Sequence, residues 1–84
     1  MQLYFITFRS VTFAQRAEKL LNHRGIRVSL MRTPRWMEEQ GCGYALKIWS
    51  EDIFSVIRFL RENKVQLRKV YAQQENGDME EVKL

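Results

Sequence analysis

Cys42 is the residue of this chain whose type and setting most suggest reactive chemistry. It is the only cysteine among 84 residues and stands between Gly41 and Gly43. A thiolate is a nucleophile, and flanking glycines remove side-chain bulk, so that an atom of another molecule can come close to the sulfur. Nearby positive charge or backbone N–H groups favour the ionised form. Arg32 and Arg35, earlier in the same connecting stretch, could supply that charge, whereas Glu38 and Glu39 would oppose it. The competing reading is a small buried hydrophobe, which a free cysteine often is. One cysteine cannot close an internal disulfide, which suits a reducing compartment. With the lone His23 it cannot assemble a metal site either.

Other catalytic constellations are missing from the sequence. Gly41-x-Gly43 is too short for a phosphate-cradling loop and has no lysine in the required place. Adjacent carboxylates at Glu38-Glu39 and Glu80-Glu81 point apart, and His23 falls at the end of a helix, where it reads as a surface residue. The chain is therefore expected not to be an enzyme, and no cofactor is implied. Four aromatics, Phe8, Trp36, Tyr44 and Trp49, could stack nucleic-acid bases if they shared a sheet face. The third strand reads Tyr44-Ala45-Leu46-Lys47-Ile48-Trp49 and lacks the Gly-aromatic run of RNA-recognition modules, so core filling is the simpler role for these rings.

The elements that must position Cys42 follow from periodicity. Leu3 to Phe8 is aromatic and β-branched, a first strand. Ser10 and Thr12 offer N-caps, with Thr12 and Gln15 in capping-box spacing, and Phe13, Ala17, Leu20 and Leu21 recur at helical intervals as far as His23. Gly25 is suited to the left-handed position that closes such a helix. Ile26 to Thr33 reads as a second strand, stopped by Pro34, and Pro34 to Gly43 as a loop. Tyr44 to Trp49 is a third strand. Ser50 then caps a second helix, with Glu51 and Asp52 in its first turn and a buried stripe of Ile53, Val56, Ile57 and Leu60. Val65 to Ala72 contains a fourth strand. Asn76-Gly77 is a turn pair, so Met79 to Leu84 folds back as an edge strand or forms a charged tail.

The order β-α-β-β-α-β, with right-handed crossovers, implies an α+β ferredoxin-like sandwich: a four-stranded antiparallel sheet with both helices on one face and a candidate extra C-terminal strand. Residues 1–72 form the domain and 73–84 the hairpin strand or tail. Each strand is apolar on both alternations, as with Tyr4, Ile6 and Phe8 against Leu3 and Phe5. A helix-free sheet face that is apolar needs a cover, and a homodimer through that face would supply one.

At this length the core is thin, since about 60% of the unfolded surface is buried in such a domain. No apolar stretch is long enough for a membrane span, and the N-terminus lacks a secretory pattern, so a cytoplasmic protein is expected. The formal charge is +4. It is uneven: residues 1–49 hold eight Lys/Arg against three Glu, and residues 50–84 hold six against seven acids. A basic half can attract nucleic acid or acidic partners.

The residues Tyr4-Phe5-Ile6-Thr7-Phe8, Ser10, Ala17-Glu18-Lys19-Leu20-Leu21, Gly25-Ile26, Pro34-Arg35, Cys42-Gly43 and Ala45-Leu46 resemble, in type and order, the small bacterial family described as putative selenium/sulfur carrier protein-like. The likeness extends over about residues 3–71. It departs at Gln40-Gly41, where members often have Ser or Asp, and at Arg9, where many have Pro. The resemblance implies a thiol that carries sulfur or selenium as a persulfide-type adduct. Cys42 would be that thiol, supported by Gly41, Gly43, Arg32 and Arg35, with a desulfurase-type or selenium-metabolism enzyme as partner. Two other classes stand beside it: a dimerising binding or regulatory module with a structural cysteine, and nucleic-acid binding through the basic N-terminal half.

Overall fold

Strand propensity and double-sided apolarity make residues 2–7 the centre of the molecule. The computed structural model describes residues 2–34 and 43–84. Within them the chain forms β1 (Gln2–Thr7), α1 (Val11–His23), β2 (Val28–Arg32), β3 (Tyr44–Ser50), α2 (Ile53–Glu62), β4 (Val70–Gln73) and β5 (Met79–Val82). The result is an α+β architecture in which the strands make one antiparallel sheet in the order β2-β3-β1-β4-β5. Among the described residues the sheet has five strands, the four expected and the candidate C-terminal one. The C-terminal segment becomes a strand because Asn76 and Gly77 turn the chain back along β4, with Asp78 N–H donating to Asn76 Oδ1 at 3.0 Å and Gln74 N–H to the Asp78 carbonyl at 2.7 Å.

The two alternations of each strand part company across the sheet. Tyr4, Ile6, Leu46, Ile48 and Val70 pack with the helices, and Ile6 lies opposite Leu46 on one side and Val70 on the other. Phe8, just beyond β1, is fully buried with them. The helices contribute Ala14, Ala17 and Leu21 from α1 and Ile53, Val56, Ile57 and Leu60 from α2, apolar stripes at three- and four-residue spacing. On the side away from the helices, Phe5 and Tyr71 face each other and are 6% and 8% exposed, with Leu3, Met31 and Met79 against them.

Of the two N-caps that the sequence offered for the first helix the structure uses Ser10, whereas the second helix starts later than expected. A helix begins where the chain leaves the sheet. Ser10 caps α1 from extended backbone, its Oγ accepting from Phe13 N–H at 3.2 Å, and Thr12 lies inside the helix without forming the expected box. Ser50 is still paired with Gln2 at the end of β3, so the capping position passes to Asp52, whose Oδ1 accepts from Ser55 N–H at 3.3 Å. Glu51 and Asp52 thus precede α2 and do not occupy its first turn. Ser50 Oγ instead accepts from Asp52 N–H at 3.1 Å.

Both helices end in the same left-handed closure. Ile26 N–H reaches the Leu21 carbonyl at 3.0 Å and Gly25 N–H the Asn22 carbonyl at 2.9 Å, while Val65 and Lys64 make the matching bonds to Leu60 and Arg61 at 2.9 and 3.0 Å. This use of Ile26 delays β2 to Val28. At the left-handed position α1 has Gly25, φ 78°, but α2 has Lys64, φ 61°. A side chain there carries a steric cost of roughly 1–2 kcal/mol, and glycine carries none. Lys64→Gly is therefore expected to raise stability by about 0.5–1 kcal/mol, after the entropy that glycine adds to the unfolded chain. Gly25→Ala is expected to lower it by about 1 kcal/mol, and as a new Cβ there meets nothing within 4 Å, the loss is one of backbone conformation alone. Urea midpoints of the two variants check both signs.

Candidate functional site

One end of the sheet gathers the connection that holds Cys42. β1 and β2 finish there, at Thr7 and Arg32, and β3 and β4 start there, at Tyr44 and Val70. The start of α1 and the end of α2 lie at the same end, as the antiparallel order requires. The β2–β3 connection is clamped where it leaves the ladder: Arg32 opposes Tyr44, and Thr33 N–H donates to the Gly43 carbonyl at 2.9 Å. Gly43 is buried and has φ 85°, a conformation that L side chains rarely adopt. A glycine directly after the cysteine is thus required by the backbone.

Of the five residues singled out from the sequence, Gly43 and Arg32 are described, whereas Gly41, Cys42 and Arg35 lie outside the described residues, as do Trp36, Glu38 and Glu39. The exposed Arg32 sets its guanidinium over the Tyr44 ring, 5.3 Å from the centroid. That contact holds a positive charge beside the last residues before β3.

Thr7 is the junction that the sequence did not reveal. It is 2% exposed and polar, and it joins β1 to the approach of β4. Its N–H donates to the Lys69 carbonyl at 2.9 Å, its carbonyl accepts from Arg68 N–H at 2.8 Å, and its hydroxyl oxygen accepts from Lys69 N–H at 3.1 Å. On its other edge Thr7 is in register with Ala45, three residues after Cys42. Arg68 and Lys69 are thereby fixed at the same end as Gly43 and Arg32. Arg68 Nη1 is buried and finds no hydrogen-bond partner among the described residues. Arg9, exposed directly after Phe8, adds another cation at this end. Counting charge by halves of the chain hid the pair Arg68-Lys69, because they belong to the half with net negative charge. The usable signal was their place immediately before the fourth strand.

Such an end attracts anions and favours the ionised form of a thiol brought to it. A shallow hollow lined by Leu3, Lys47, Trp49 and Gln73 lies at the opposite end of β1, away from Gly43. Among the described residues no group of His, Cys, Asp or Glu could hold a metal ion, and no helix is long and apolar enough to cross a membrane. The aromatics do not share a face. Phe8 is in the core, Tyr44 packs against it, Trp49 is half-buried on the side away from the helices, and Trp36 is outside the described residues.

A sequence model for the family described as "Putative Se/S carrier protein-like" matches residues 3–72, from β1 through most of β4, with Cys42 inside the match. The chain belongs to this family. No curated protein and no solved structure matches it. In this member of the Se/S carrier-like family the matched region stops short of β5, so the fifth strand lies beyond the part that the family description covers.

Replacing Thr7 by Val keeps the shape and removes the acceptor of the Lys69 N–H. The variant is expected to lose about 1 kcal/mol of stability and to exchange the Lys69 amide faster than wild type, which hydrogen-exchange NMR reads directly.

Proposed function

We propose that the protein is a small cytoplasmic carrier of sulfur or selenium, not an enzyme, with Cys42 as the carrier thiol and Gly41, Gly43, Arg32 and Arg35 as its supports. The observation that carries this reading is the family match over residues 3–72, which contains the only cysteine of the chain. Three physical points support it. Gly43 lets the chain turn sharply after the sulfur-bearing residue. The end of the sheet that holds Gly43 is rich in cations from separate segments, Arg9, Arg32, Arg68 and Lys69. A ferredoxin-like arrangement, which we infer from the order β2-β3-β1-β4 of the first four strands, puts the β2–β3 connection at that same end of the sheet, as suits delivery to a second protein.

The chemistry balances without an added oxidant. The Cys42 thiolate attacks the outer sulfur of a donor persulfide, R–S–SH. A sulfur–sulfur bond forms at Cys42 as the donor bond breaks, and the donor leaves as its thiolate. Cys42 then bears –S–SH, and the thiolate of an acceptor repeats the step in reverse. A donor enzyme of the desulfurase type and a sulfur- or selenium-using acceptor are the partners this requires.

A second reading has its own observation. Leu3, Met31 and Met79 on the side away from the helices are only partly buried and could meet a second copy in a homodimer with the cysteine structural, but Phe5 and Tyr71 between them are already buried within the single chain. Nucleic-acid binding has less support, because the expected aromatics are divided between the two sides of the sheet.

Two measurements decide between thiol chemistry and a structural role. Incubation with glutathione persulfide is expected to add about 32 Da to the intact mass, reversed by a reducing thiol and absent in Cys42→Ser. An unchanged mass would remove the carrier role. Alkylation of Cys42 by iodoacetamide at pH 7 is expected to slow about two- to fivefold in Lys69→Glu and to approach a common rate with wild type in molar salt, because screening shortens the reach of surface charge to about 3 Å.

A further inference from the structure

We infer that the outer surface of the two helices is a docking face for an acidic protein segment that inserts an apolar side chain between α1 and α2. This goes beyond the carrier reading and does not depend on it. Leu20 from α1 and Phe59 from α2 are only partly buried, and with Lys19, His23 and Arg24 they line a hollow of about 470 Å³. Its floor is apolar and its rim is basic. Arg24 lies across the Phe59 ring at 4.4 Å from the centroid, so its charge is held over the mouth of the slot. Phe54, 55% exposed, belongs to the other flank of α2, where it borders a separate hollow with Arg58 and Arg61. A phenylalanine this exposed contributes little to the fold, since α2 already buries Ile53, Val56, Ile57 and Leu60.

Charge identifies the occupant. Arg16, Lys19 and Arg24 on and just after α1 and Arg58, Arg61 and Lys64 on and just after α2 are all exposed, against Glu18 and Glu62. None of these six cations makes an ion pair among the described residues. They repel one another across a small surface, and an acidic partner relieves that repulsion while steering its own approach. Phosphates would meet the charges but leave an apolar slot unfilled. A segment with acids flanking a leucine or phenylalanine satisfies both, in the manner of an amphipathic helix laid in a groove.

The probe is a short fluorescein-labelled peptide of Glu and Asp with Leu and Phe four residues apart, titrated into the full-length protein. Binding is expected below about 1 mM, with amide shifts in ¹⁵N NMR centred on Lys19, Leu20, Arg24 and Phe59. The paired change Lys19→Glu with Arg24→Glu is expected to weaken binding about tenfold or more, and Lys19→Ser about threefold. Both alter exposed positions, and circular dichroism checks that each variant keeps the fold. A peptide with Ser in place of Leu and Phe is expected to lose binding. Absence of binding, shifts centred on the sheet, indifference to these variants, or tighter binding of single-stranded RNA to the same face would each overturn the assignment. Because Cys42→Ser is expected to bind the peptide as wild type does, failure here and failure of the carrier reading are told apart.

Discussion

The structure depends on β1 being paired on both edges and buried on both faces. A central strand can be solvated nowhere, so every residue from Leu3 to Phe8 must be either apolar or fully hydrogen-bonded. Tyr4, Ile6 and Phe8 serve the helix layer, and Leu3 and Phe5 the other side. Thr7 is the polar exception and is satisfied by the Arg68–Lys69 backbone. With β1 fixed in this way, the registers of β3 and β4 follow, since a slip of one residue would exchange the two apolar sets. The helices then have only one place to put their stripes. Leu21 and Leu60, each fully buried, sit at the residues whose carbonyls close the two helix ends, so packing and termination coincide.

The same strand organises one end of the sheet. Thr7 touches both neighbours of β1 at one end, and through it the approach to β4 and the start of β3 are held together. That is how residues far apart in sequence, Arg32, Gly43, Arg68 and Lys69, come to one edge. Membership in the Se/S carrier-like family draws attention to the connection between β2 and β3, because the matched region includes Cys42. The helix layer offers a different kind of surface, apolar and basic, on a separate side of the molecule.

Much of this was legible from periodicity. The two helical stripes, the strands and the turn at Asn76-Gly77 are local patterns, and local patterns survive folding when burial agrees with them. What was not legible depended on contacts distant in sequence. Nothing near Ser50 says that it stays paired with Gln2 and so yields the cap to Asp52. Nothing near Thr7 announces a hydrogen-bonding partner 62 residues away. The role of Lys64 was also hidden, since a lysine after a helix reads as a charge near the dipole and not as a left-handed residue. At the candidate site, the importance of Gly43 was visible from its type, and its positive φ supplies the reason. The cation pair before β4 was invisible, because its relevance arises only from topology.

The fifth strand has a consequence for how copies of this protein behave toward one another. Without it the sheet would end at β4, whose Val70-Tyr71-Ala72 backbone is an inviting template for another chain's strand. By pairing with β4, β5 moves the rim outward to Met79-Glu80-Glu81-Val82, followed by Lys83, where one exposed carboxylate stands on each face of the sheet. Charged rims of this kind discourage the strand-to-strand growth that leads to fibres. The acidic C-terminal stretch thus acts as a guard on a sheet that is otherwise apolar on both sides.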